Sequence, residues 1–135
     1  MDMLDAFFPY ALTSEDITVR VSVNFLPEQS DIDRKRWFWA YHIRIENGRD
    51  SAVQLLTRHW RITDGHGGIQ YVDGEGVVGE QPLLQPGASH DYVSGCPLNT
   101  DTGSMEGHFT FLGKDNRTFD AGIPRFSLSI PTVDI

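Results

Sequence analysis

Ile17-Thr18-Val19-Arg20-Val21-Ser22-Val23-Asn24-Phe25 puts an apolar residue at every odd position and a polar one at every even position. Alternate side chains of an extended chain point to opposite faces, so this period of two reads as a half-buried β-strand. A helix would repeat its apolar positions every three to four residues instead. Trp37, Trp39, Tyr41, Ile43 and Ile45 continue the pattern downstream, after a polar loop over Glu28 to Arg34 and before an Asn47-Gly48 turn signal.

A third strand is expected over Val53 to Ile62, with bulk on both faces: Val53 and Leu55 on one, Leu56, Trp60 and Ile62 on the other. Arg58 and Arg61 interrupt its apolar pattern. Asp64-Gly65 and Gly67-Gly68 turn the chain into Ile69-Gln70-Tyr71-Val72, which completes a hairpin. Gly74 to Gly87, with Pro82 and Pro86, is irregular. Further strands are expected at Ser89 to Val93, around Met105, Gly107, Phe109 and Phe111, at Thr118 to Ala121 beyond an Asp115-Asn116 turn, and at Phe126, Leu128 and Ile130. Seven or eight short strands separated by turns, with no convincing helix, predict an all-β antiparallel sandwich or barrel.

The chain has 135 residues, the size of one domain. Its formal net charge of -8 repels a phosphate backbone, so no nucleic-acid partner is expected. No apolar stretch approaches the roughly 20 residues that span a bilayer, so no membrane partner is expected either. Met1 to Pro9 carries acids where a secretion signal carries Lys or Arg, and the expected location is the cytoplasm. Cys96, the single cysteine, makes no internal disulfide.

Gly74-Glu75-Gly76-Val77-Val78-Gly79 matches the G-x-G-x-x-G pattern of dinucleotide sites. That pattern works by closing a strand and opening a helix whose N-terminus holds a pyrophosphate. Here Pro82 and Pro86 follow and deny a regular helix. Two readings of the loop stay open. Gly74, Gly76 and Gly79 supply backbone angles for a tight turn, with Val77 and Val78 as apolar contacts for a protein partner. Alternatively their N–H groups form a nest for a small phosphate-containing anion, with Arg58 or Arg61 adding positive charge.

No nucleophile elbow, H-E-x-x-H or C-x-x-C occurs, and His42, His59, His66, His90 and His108 have no ligand-pair spacing. No catalytic residue, metal site or cofactor is expected. A non-catalytic module that binds an unidentified protein is the leading reading, and a pyrophosphate or nucleotide sensor is the alternative. Unpaired strand edges at the rims of a sandwich make a homodimer an added expectation.

Six blocks carry a family resemblance. They are Arg58 to Asp64, Gly74 to Pro82, Pro86-Gly87, Tyr92 to Gly95, Gly103 to Phe109, and Ile123 to Phe126. In order and spacing they resemble the bacterial ApaG family, over about Ile17 to Thr132. The resemblance implies an immunoglobulin- or fibronectin-III-like sandwich over residues 15–135, with residues 1–14 as an N-terminal extension. It also implies links, by gene name and neighbourhood, to cobalt and magnesium resistance and to diadenosine-tetraphosphate hydrolysis. Related domains in F-box proteins and in a DNA-polymerase-delta-interacting protein look like protein-interaction modules. The resemblance supplies no catalytic residue.

Overall fold

The alternating segment Ile17–Phe25 forms strand β2, with Ile17, Val19 and Val21 fully buried and the intervening side chains turned outward. The computed structural model describes residues 3–131. A one-turn helix, α1 (Met3–Phe7), is followed by β1 (Tyr10–Ser14), β2, β3 (Trp37–Asn47), β4 (Val53–Asp64) and β5 (Ile69–Glu75). Then come β6 (Leu83–Leu84), β7 (Ser89–Leu98), β8 (Gly103–Leu112) and β9 (Thr118–Leu128). The strands build two antiparallel sheets, ordered β1-β2-β3-β7 and β5-β4-β8-β9, with β6 pairing the first residues of β4. They face each other as a sandwich around Trp39, Ile43, Leu55, Trp60, Phe109, Phe111 and Phe126.

The expected antiparallel sandwich is therefore present, with nine strands among the described residues rather than seven or eight. Residues 10–14, set apart in the sequence as part of an extension, pair with β2 along five positions as β1. The two-residue β6 lies in the segment expected to be irregular. Residues 118–121 and 126–128 are one strand, because a bulge places Ile123 opposite Gly107 and Phe126 opposite Met105. The extra residue moves the buried side from odd to even positions, which in the sequence looks like two strands. Ile130 lies beyond β9 and is exposed.

Strand β4 holds a second bulge, between Leu55 and Thr57. It corrects the expectation that Val53 and Leu55 oppose Trp60 and Ile62: all four face the interior, and Leu56 is the displaced residue. The helix-free expectation is corrected by α1, which lies on the outer face of the first sheet. Phe8, just after it, is buried with its ring edge-on to His42, and Asp5 pairs with Arg20 at 3.1 Å.

The two long sides of the sandwich differ. On one, β1 and β2 contact β9 and close the core. On the other, β5 and β7 are the sheet edges, and a groove separates them.

Candidate functional site

The glycine motif starts inside β5 and ends in a tight turn. Val77 N–H donates to the Glu80 carbonyl at 2.8 Å, and Glu80 N–H donates back to the Val77 carbonyl at 3.0 Å. Val78 (φ 47°) and Gly79 (φ 78°) occupy the corner, and two successive left-handed residues make a type I′ turn. No helix follows, so the dinucleotide geometry is absent. The Gly76 amide donates to the Leu56 carbonyl, so the amides of residues 76, 77 and 80 are all engaged within the fold. Gly76 itself needs φ 64°, and a Cβ there would collide with the Glu80 carbonyl oxygen.

The two valines of the motif separate. Val78 is 65% exposed, whereas Val77 is 1% exposed and belongs to the core. The expectation that both are surface contacts is corrected for Val77: the turn points successive side chains in opposite directions, and the interior takes the first.

Arg58 is drawn under the same loop. The β4 bulge puts it on the inward face, in register with Gly74. A Cβ on Gly74 would sit 2.7 Å from the guanidinium carbon, so this glycine leaves space for the arginine. Arg58 Nη1 donates to the carbonyls of Glu75 and Gly76 at 3.0 and 2.9 Å. Of the predicted residues, Arg58, Gly74 and Gly76 thus come together, with carbonyls rather than amides facing the cation. Gly79 and Val78 stand at the loop tip, and Arg61 lies on the outer face beside Glu106 at 3.6 Å.

Beyond Arg58 the gap between β5 and β7 opens in two connected parts. The inner part, about 260 Å³, is lined by Arg58, Tyr41, Trp60, Val72, Ser94 and Cys96. The outer part, about 640 Å³, is lined by Trp37, Phe38, Ile69, Pro97 and Leu98, with Arg36 and Asp64 among its polar members. Ile62, Gln70 and Pro97 line both. Exposed apolar side chains flank this side: Ile69 and Tyr71 on β5, Val93 on β7, and Val78 and Leu83 near the loop.

Burial sets the electrostatics of the inner part. It pushes the Tyr41 phenol up, against a hydrogen bond with Ser94, and the Tyr92 phenol well above its ordinary range. The positive charge of Arg58 acts on both in the opposite direction. The Cys96 thiol is pushed up to about 11 by burial alone, so it is neutral at pH 7 and a poor nucleophile.

Neither the groove nor a histidine row was visible in the sequence. On the outer face of the second sheet, His59 stacks on His108 at 5.0 Å and on Tyr71 at 5.7 Å. His59 also meets Asp73 at 2.6 Å. Strand register brings His59 opposite both Asp73 and His108, and that register lies outside any local pattern. Among the described residues, no three His, Cys, Asp or Glu side chains are placed to hold a metal ion. No helix among them is long and apolar enough to cross a membrane.

Comparison with known proteins bears on the family and the fold. Residues 27–113 match the family model described as the ApaG domain. The Protein ApaG of Sinorhizobium fredii is 48% identical over 122 residues, covering 90% of this chain and 94% of that protein. The Protein ApaG of Pseudomonas paraeruginosa is 51% identical over 119 residues, covering 88% and 94%. The crystal structure of the putative ApaA protein from Bordetella pertussis superposes with a TM-score of 0.84 at 42% identity, covering 90% of this chain and 99% of that one. With the family model spanning more than half of the chain and the relatives nearly all of it, the chain belongs to the ApaG domain family.

Proposed function

We propose that this protein is a non-catalytic protein-binding module whose partner docks along the open side of the sandwich, between β5 and β7. One observation carries the reading: a groove of about 640 Å³ with an apolar side at Trp37, Phe38, Ile69 and Leu98 lies between two strand edges with no strand beyond them among the described residues. An edge strand offers unpaired N–H and C=O groups, and an extended segment gains affinity from that backbone and specificity from side-chain pockets. Ile69 supplies exposed apolar area at the rim, and Tyr71 and Val93 extend it onto the outer faces of the two edge strands. Catalysis has less support, since Cys96 is buried and neutral and the loop glycines serve a turn.

Photo-crosslinking in the native cell extract tests this. A benzoylphenylalanine at position 69 or 93 is expected to give a discrete adduct with another protein. The same group at Thr13, on the far side, is expected to give none. Equal patterns at all three positions, or no adduct at 69 and 93, would sink the proposal.

A further inference from the structure

Arg58 is an inward-facing arginine with no carboxylate within ion-pair distance among the described residues. Nη1 is used on the two loop carbonyls, and Nε and Nη2 keep three N–H groups that no described protein acceptor takes. The Tyr92 hydroxyl, which is not part of the cavity lining but lies within electrostatic reach of Arg58, is buried without any hydrogen-bond partner. A buried polar group left unpaired is destabilising and calls for an explanation. Ser94 and Tyr41 bring two hydroxyls to the inner end of the groove beside Arg58.

We infer that this inner end receives the C-terminal carboxylate of an extended peptide, with the carboxylate on Arg58 and the last, apolar side chain against Trp60, Val72 and Met105. The inference rests on the protein-binding reading above and names the class of partner. A guanidinium presents parallel N–H donors that match the two oxygens of a carboxylate. Its fixed anchoring by the Glu75 and Gly76 carbonyls preorganises the remaining donors.

Two other occupants fit less well. A nucleotide or pyrophosphate brings several charges, yet Arg58 is the only cationic side chain lining the inner part, in a chain of net charge -8. A free small carboxylate would fill the 260 Å³ but leave the adjoining 640 Å³ and both strand edges without a role. Ser94 to Leu98 of β7 spans on the order of 13 Å at ~3.3 Å per residue, which matches about four residues of extended peptide.

The test is calorimetry on the full chain with pools of N-acetylated hexapeptides ending in Leu, Val or Ile, made as free acids and as carboxamides. A third ligand is 4-methylpentanoate. The acid pool is expected to bind about tenfold or more tightly than the carboxamide pool. Arg58→Lys is expected to erase most of that difference, and Ser94→Ala, which removes a lining hydroxyl, to reduce it with an unchanged melting temperature. Because Arg58→Lys also loosens the loop, Ser94→Ala carries the test if the lysine variant fails to fold. Equal binding of acid and carboxamide pools overturns the carboxylate site and leaves the docking surface standing. Tight 4-methylpentanoate binding, equal to that of the acid pool, overturns the peptide in favour of a small molecule. No binding of the acid pool, or an unchanged preference in Ser94→Ala, also overturns it. Crosslinks lost at positions 69 and 93 would instead remove the docking surface itself.

Discussion

Gly107 has no space for a side chain, because a Cβ there would strike the backbone carbonyl of His59 on β4. Gly107→Ala is therefore expected to cost about 3 kcal/mol, at the upper end of typical overpacking, measured by urea denaturation. Gly67 has a positive φ but nothing around it, so Gly67→Ala is expected to cost only about 1 kcal/mol. Equal costs would mean that the β4–β8 spacing is wrong. The tryptophans divide in the same manner. Trp39 is fully buried and its Nε1 donates to the Ser129 carbonyl at 2.8 Å, whereas Trp37 is partly exposed at the groove. Trp39→Ala is expected to lose roughly 3–5 kcal/mol, and Trp37→Ala clearly less, by the same measurement. Cys96, buried and raised to about 11, is expected to resist iodoacetamide at pH 8 in the native protein and to react once unfolded. Rapid native labelling would contradict its placement. The burial of Trp39 was legible because alternation marks one face of a strand. The fate of Gly107 was not, because the obstruction belongs to a strand some fifty positions away in the chain.

Elements without irregularities matched their sequence pattern, and bulged ones did not. Strands β2 and β3 keep strict alternation and were read with their buried faces correct. In β4 and β9 one inserted residue reverses the inward parity, so Arg58 reads as an interruption when it faces inward at the groove. The candidate site was hidden for this reason, since the phase of a strand after a bulge is fixed by its neighbour. Turns were more legible. Asp64, expected in a turn, accepts the amides of Gly68 and His66 through one carboxylate oxygen at 2.9 and 2.8 Å. The Gly68 amide first, then that of His66, hold its carboxyl below the usual carboxylate range. A carboxyl group lowered by folding stabilises the native state above its unfolded pKa, about 3.9, and that contribution is lost as pH falls through the lower folded value. The stability gap between the parent and Asp64→Asn is thus expected to be full above pH ~4 and to close in stronger acid. Melting curves at pH 2, 3, 4 and 6 check it, and a gap independent of pH would discount the carboxylate.

For the molecule as a whole, the core draws on both sheets and includes neither a disulfide nor a metal-ligand cluster among the described residues. A far-UV circular dichroism spectrum dominated by β-structure is expected, with a melting temperature unchanged by chelator or reductant. A large drop in chelator would point to an ion that stabilises the fold. The asymmetry of the two long sides has a mechanical consequence. Contacts of β1 and β2 with β9, and the Trp39 indole fastened to Ser129, make one side a spine like that of a bound book. The fore-edge, where β5 and β7 stand apart, is where the two covers can spread without disturbing the binding. A body hinged in this manner opens unevenly, with its free margins breathing while the spine holds. Deuterium uptake should therefore run fastest along the outer edges of β5 and β7 and slowest through β2 and the middle of β9, as read by exchange mass spectrometry.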